Sequence, residues 1–169
     1  MLDYTIRPAV PADLDSLWPA VVRAVAAMRA EGNTQWGDDY PISDDYAEDI
    51  GRGELIVAAA PDGRVLGAAC ASVAPEPLYA DVDWTIPAPA MVVHRMVVDP
   101  EVQRGGVARS LFQYAEDRAR AQGVPTIHAD TSCKNEKMQR LFQTLGFVRR
   151  GEIHIPDRPL LFPVFEKLL

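Results

Sequence analysis

The residues best equipped for chemistry lie between Val97 and Arg109, which read Val-Val-Asp-Pro-Glu-Val-Gln-Arg-Gly-Gly-Val-Ala-Arg. An apolar run ends, the chain turns at Asp99-Pro100, and a helical pattern begins at a glycine pair. The first turn of a helix leaves backbone N–H groups unpaired, and these donors together with the helix dipole suit an anion. Glycine lets the backbone approach a diphosphate closely. Arg104 and Arg109 add charge that can grip phosphate bidentately. A glycine-rich strand-to-helix turn that binds nothing has the same pattern. The segment is neither the dinucleotide fingerprint, since G-x-G-x-x-G is absent, nor a triphosphate loop, since no G-K-S/T follows.

The elements that must position this turn follow from periodicity. Tyr4–Arg7 alternates like an edge strand, and Leu14, Leu17, Trp18, Val21, Val22, Val25 and Met28 recur at helical spacing. Pro19 falls inside that pattern and should kink or split the helix. Gly32 is its expected stop, and Ser43 is expected to cap a short helix through Ile50. Glu54–Ala60 and Arg64–Ser72 read as two strands about the turn Pro61-Asp62-Gly63. A Pro- and Asp-rich loop, Pro75–Pro89, precedes Met91–Val98, which is apolar enough for a strand buried on both faces. A helix from Gly105 or Gly106 to about Gln122, a strand at Thr126–Asp130 and a helix over about Asn135–Leu145 follow. Strands at Phe147–Ile155 and Leu161–Leu168 close the chain as an antiparallel pair. The expected fold is a mixed α/β sheet in one domain over residues 1–169.

Composition narrows the function. Seventeen basic against 24 acidic residues give a formal charge of −7, which argues against a general nucleic-acid binder. An anionic ligand must then be held by local geometry rather than by the overall field. Six acids, Asp38, Asp39, Asp44, Asp45, Glu48 and Asp49, fall close together. They read as a solvated loop and helix start, or as an attraction for a cationic substrate. No apolar run approaches the roughly 20 residues that cross a bilayer, and Met1–Tyr4 does not read as a signal peptide. A cytoplasmic protein is expected, with Cys70 and Cys133 as reduced thiols, no membrane partner and no metal.

Taken with its context, the glycine turn resembles the coenzyme A-binding motif of the GCN5-related N-acetyltransferase (GNAT) family, Q/R-x-x-G-x-G/A after a strand ending in a V-x-P-like turn. Gln103, Gly106 and Ala108 fill the pattern after Val98-Asp99-Pro100. A second signature of that family is matched by Asn135, Met138, Leu141-Phe142 and Gly146-Phe147, and the usual opening by Ile6-Arg7-Pro8-Ala9 with Asp13. The resemblance covers nearly the whole chain. It implies a seven-stranded, mostly antiparallel sheet flanked by about four helices, with a splayed parallel strand pair forming the cofactor cleft.

The resemblance also assigns roles. Met96, Val97 and Val98 would offer backbone groups to the pantetheine arm of acetyl-CoA, although the same residues would serve a plain core strand. Gln103, Arg104, Gly105, Gly106, Val107, Ala108 and Arg109 would hold the pyrophosphate, and Asn135 would meet the cofactor arm. The reaction implied is attack of a neutral amine on a thioester, so an ammonium with a pKa of about 10.4 must lose a proton. A backbone N–H near Val97 or Val98, with Val98 the first choice, would stabilise the oxyanion. His94 is the expected general base, since imidazole titrates near 6.5; a hydrogen-bonded structural histidine is the competing reading. His128 and Asp130 are further groups that could face the cleft. Alternation places His94 and Arg95 on opposite faces, so only one should look into it. The family's usual acid, a tyrosine, is replaced by Phe142, which cannot donate a proton. Cys133 and Tyr114 are candidate substitutes, and a thiolate of pKa about 8.5 can also leave unaided. Trp36, Tyr40 and Trp84 are candidate substrate contacts, either as aromatic faces for a cationic amine or as packing at the core edge.

Three functions compete on this reading. The first is an N-acetyltransferase for a small-molecule amine. The second acetylates protein lysines or amino termini. The third is a non-catalytic acyl-CoA-binding module, to which Phe142 lends weight. A homodimer is common in such a family.

Overall fold

The computed structural model describes residues 2–169. Seven strands form one sheet: β1 (Thr5–Pro8), β2 (Leu55–Ala59), β3 (Val65–Ser72), β4 (Met91–Val98), β5 (Thr126–Asp130), β6 (Val148–His154) and β7 (Leu161–Leu168). Their order is β1-β2-β3-β4-β5-β7-β6, and every pairing is antiparallel except β4 with β5. Four α-helices complete the fold: α1 (Leu14–Ala30), α2 (Ser43–Gly51), α3 (Val107–Ala121) and α4 (Glu136–Thr144). This is the mixed α/β, mostly antiparallel sheet that the resemblance implied.

Strand alternation divides the core between the two faces. Ile56, Ala58, Leu66 and Ala69 face α3 and α4, whereas Leu55, Val57, Val65 and Ala68 face α1 and α2. On α3 the buried Leu111, Phe112, Ala115 and Ala119 form a single helical stripe toward the first face. Fully burying a residue such as Leu111 or Phe112 contributes about 1.5–3 kcal/mol.

Two local expectations are corrected. Pro19 does not split its helix: α1 runs unbroken across it. Leu17, Ala20, Val21 and Ala24 are buried on both sides of the proline, and this packing offsets a penalty of about 3 kcal/mol. Ser43 is not the cap of α2 but its first residue; instead the Asp45 carboxylate accepts from the Ile42 N–H at 2.8 Å. An acid reaching back to the preceding turn satisfies the free donor as a cap would.

Candidate active site

The site is built where β4 and β5 part. Their parallel pairing covers three positions, Met91↔Ile127, Val92↔His128 and Val93↔Ala129. A bulge then diverts β4: Ala68 pairs with Val97 but Cys70 with His94, so β4 carries one extra residue, at Arg95-Met96. Arg95 takes φ +50, a left-handed conformation seldom adopted by side chains with a Cβ.

The extra residue reverses the parity of the strand. Met91 and Val93 face α3 before it, and Met96 and Val98 face α3 after it. His94 and Arg95 are therefore both left on the α1–α2 side, and both line the same cavity. The expectation that alternation would admit only one of them is overturned by the bulge.

The cavity holds about 450 Å³ and draws on both faces of the sheet. Met96, Phe112, Met138 and Phe142 come from the α3–α4 side, and Trp36, Tyr40, His94 and Arg95 from the other. Asp130, Glu76, Tyr79 and Arg158 complete the polar wall.

Arg95 is fixed in place. Its Nε and Nη2 donate to the two carboxylate oxygens of Asp49 at 2.7 and 2.6 Å, and its Nη1 donates to the Tyr40 hydroxyl at 3.1 Å. Asp49 is 1% exposed and Arg95 14%. Asp49, Glu54 and Cys70 bring three ligand-type atoms within 4.8 Å of one another. Asp49 is already committed to Arg95, and burial pushes the Cys70 thiol up to about 12. His94 is pushed down to about 4, first by burial and then by the adjacent Arg95 charge. At neutral pH its imidazole is uncharged.

Opposite His94, at the end of β5, stands Asp130. The Tyr79 hydroxyl donates to its Oδ1 at 2.5 Å. Burial pushes this carboxyl up to about 6 against the lowering effect of that hydrogen bond. Tyr79 is itself held from behind: the Trp84 Nε1 donates to its carbonyl at 3.2 Å, and the Trp84 ring stacks on His128 at 3.7 Å.

The acidic run after α1 is largely engaged. Asp38 pairs with Arg29, Asp39 with Arg158, Glu48 with Arg52, and Asp49 with Arg95. The Asp39–Arg158 pair ties the loop after α1 to the loop before β7 beside the cavity.

The glycine turn lies at the other end of β4. Gly67 on β3 makes the close approach possible, since a Cβ there would stand 2.8 Å from both the Val97 carbonyl oxygen and Val107 Cγ1. Gly106, at φ +77, precedes the first residue of α3. The backbone bonds of this turn include Gly105 N–H to the Val102 carbonyl and Ser110 N–H to the Gly106 carbonyl. The N–H groups of Gly106, Val107, Ala108 and Arg109 make no hydrogen bond among the described residues. Free donors of this kind suit an anion. At the end of β4, the Asp99 N–H donates to the Leu66 carbonyl at 2.9 Å, so alternation turns the N–H and C=O of Val98 toward the gap and those of Val97 toward Ala68.

Of the residues singled out in sequence, the cavity gathers Trp36, Tyr40, His94, Arg95, Met96, Asp130, Asn135, Met138 and Phe142. Asn135 also caps α4, its Oδ1 accepting from the Met138 N–H at 3.2 Å. Gln103–Arg109 form the separate turn just described. Trp84 and His128 are buried one layer behind the cavity wall. Phe142 lies among Phe112, Phe147 and Phe165, with ring centroids 4.6–5.6 Å apart. Neither Cys133 nor Tyr114 lines the cavity, whereas the Tyr40 and Tyr79 phenols do. Tyr79, Glu76 and Arg158 went unnoticed in the sequence. Only the aromatic within Pro77-Leu78-Tyr79 of the long loop hinted at the first of them.

A sequence model of the Acetyltransferase (GNAT) family matches residues 23–147. No curated protein matches. Among solved structures, a GNAT-family acetyltransferase from Streptococcus agalactiae superposes with a TM-score of 0.84 at 23% identity, covering 98% of this chain and 95% of that one. A putative acetyltransferase from Staphylococcus aureus gives 0.75 at 28% identity, covering 97% and 98%. The ribosomal-protein-S18-alanine N-acetyltransferase of Escherichia coli gives 0.71 at 18% identity, covering 98% and 93%.

Proposed function

Since this chain belongs to the GNAT acetyltransferase family, matched over residues 23–147, we propose that it transfers the acetyl group of acetyl-CoA directly to the primary amine of a small metabolite. It acts in the cytoplasm as one domain over residues 1–169. The observation that carries this reading is a single cavity opening where β4 and β5 diverge. One wall comes from the helices beside the anion seat, and the opposite wall carries titratable groups.

The pyrophosphate of acetyl-CoA sits on the free N–H groups at the start of α3, between Gln103 and Arg109. The pantetheine arm follows the gap edge of β4 past Met96, Val97 and Val98, with Asn135 on its other side. The outward N–H of Val98 is the donor for the oxyanion that forms when the amine adds to the thioester, a contribution of about 3 kcal/mol to the barrier. His94 and Asp130 are the two groups on the strands bordering the gap that can take the amine's proton. With Phe142 unable to donate, the thiolate leaves unassisted or takes a proton from the newly acetylated nitrogen.

A space of about 450 Å³ suits a small ligand. The Asp39–Arg158 tie closes in the same wall, which favours a compact amine over an extended peptide. The relative from Escherichia coli acts on a ribosomal protein's alanine, as its name says, but at 18% identity it shares the fold alone. Trp36 and Tyr40 supply aromatic faces for the acceptor.

The test is thiol release from acetyl-CoA across a panel of polyamines, aromatic amines, amino acids and a peptide with a free amino terminus, with mass detection of the acetylated product. Turnover of a small amine is the expected result. Turnover of the peptide alone supports protein acetylation, and no release above background supports a non-catalytic acyl-CoA-binding module.

A further inference from the structure

We propose that Asp130 is the group that takes the proton from the acceptor amine, and that the Tyr79 hydroxyl positions it to do so. This rests on the amine-acetylation reading given above.

The geometry is specific. Asp130 lies one residue beyond the last β4–β5 pair, Val93↔Ala129, and is still held to β7 opposite Val164. It therefore stands at the apex of the gap on a rigid strand. By alternation it shares a sheet face with His94 and Arg95, because Ile127 and Ala129 point to the opposite, α3 side. Tyr79 occupies Oδ1. Oδ2 has no hydrogen-bond partner and is not sealed off: His128 Nε2 is the one buried side-chain polar atom left unpaired among the described residues. Oδ2 thus opens on the cavity that Asp130 lines.

The other charged and titratable groups around it are accounted for. Glu76 and Tyr79 come from the loop before β4, Tyr40 from the loop after α1, His94 and Arg95 from β4, and Arg158 from the loop before β7. Arg95 and Arg158 are held by Asp49 and Asp39. Burial raises both phenols, so Tyr40 and Tyr79 stay protonated near neutral pH. Glu76 accepts from the Leu78 N–H at 3.1 Å as the cap of the turn Pro77–Tyr79 and lies on the loop rather than on the sheet. Two further bases stand on the strands that form the gap. His94 is held at about 4, and Asp130 is pushed up to about 6, so the carboxylate is the stronger base.

The step balances as follows. An ammonium R–NH3⁺ gives one proton to Asp130 Oδ2, and the freed lone pair forms the N–C bond at the thioester carbonyl. The C–S bond breaks as the carbonyl reforms, and the departing thiolate takes the second proton from nitrogen. Asp130 then returns its proton to water. The products are R–NH–COCH3, coenzyme A thiol and H⁺.

The environment makes the test directional. The Tyr79 hydrogen bond favours the charged carboxylate, and the Glu76 charge opposes it. In kcat/KM against pH, using the panel amine with the greatest thiol release, wild type should lose activity as pH falls through about 6. Tyr79→Phe should move that limb to higher pH, and Glu76→Gln to lower pH. Asp130→Asn should lower kcat by about 100-fold or more and remove the limb, while acetyl-CoA affinity by calorimetry stays within about twofold, as expected of a group that acts on the acceptor. A limb that persists in Asp130→Asn but disappears in His94→Ala overturns the proposal in favour of the imidazole. A limb unmoved by Tyr79→Phe and by Glu76→Gln also overturns it. If wild type acetylates no amine, the enzymatic reading itself falls and takes this one with it.

Discussion

Replacing Asp49 with Asn tests whether the buried Arg95 pair holds the bulge on which the cavity depends. The exchange preserves shape but leaves the Arg95 guanidinium, 14% exposed, without the countercharge it meets at 2.6 and 2.7 Å. Removing one partner of a buried pair costs about 3–5 kcal/mol, because the other charge stays desolvated. For a chain of this size that corresponds to a fall in Tm of roughly 6–20 °C. Urea unfolding at pH 7, followed by the fluorescence of Trp18, Trp36 and Trp84, measures the loss. Arg29→Ala is the internal control: its partner Asp38 is 95% exposed, and it should change stability by no more than about 0.5 kcal/mol. Adding Arg95→Met to Asp49→Asn should recover part of the loss, since no charge is then left orphaned. A loss below about 1 kcal/mol for Asp49→Asn, or a double variant no more stable than the single, would refute the reasoning.

Gly106→Glu should weaken acetyl-CoA binding about 100-fold or more, by placing a carboxylate at the proposed pyrophosphate seat. A Cβ there meets only the Tyr4 hydroxyl, at 3.8 Å, so Gly106→Ala isolates the strain of φ +77, and unchanged affinity of the Glu variant by calorimetry would count against the anion seat. Stability should also fall in acid for a defined reason. Hydrogen bonds from Arg7 hold Asp13, and those from Arg23 hold Asp99, below the ordinary 3.8. Their stabilisation is complete above that value and is lost as pH drops through their lower native values. Asp13→Asn and Asp99→Asn should therefore unfold more easily than wild type at pH 7, with the difference shrinking as the pH falls below 3.8 in chemical denaturation.

Much of this was legible in the sequence because it depends on local pattern. Met91–Val98, Thr126–Asp130 and Leu161–Leu168 form strands at the expected bounds, since apolar runs between turn signals leave little choice. The glycine turn could be read because a helix start and a required left-handed residue are both local facts. The wall of the cavity could not. Which face His94 and Arg95 share depends on one extra residue in β4, counted only against its partner β3. Tyr79 lies 51 residues from Asp130 in sequence, in a loop whose prolines and acids showed no period. Trp84 was legible as an aromatic but not as the prop behind Tyr79, because its stacking on His128 joins that loop to the centre of the sheet.

A free edge in the interior of a sheet is choosy about its guests. Beyond Val93 β4 has no pairing with β5, so a slender guest with amide groups of its own would answer the outward amides and carbonyls left there. A pantetheine chain has two. Acetyl phosphate or an acetyl-adenylate has none and would leave that edge unanswered, so on the proposed reading the interruption that opens the sheet also disfavours those donors.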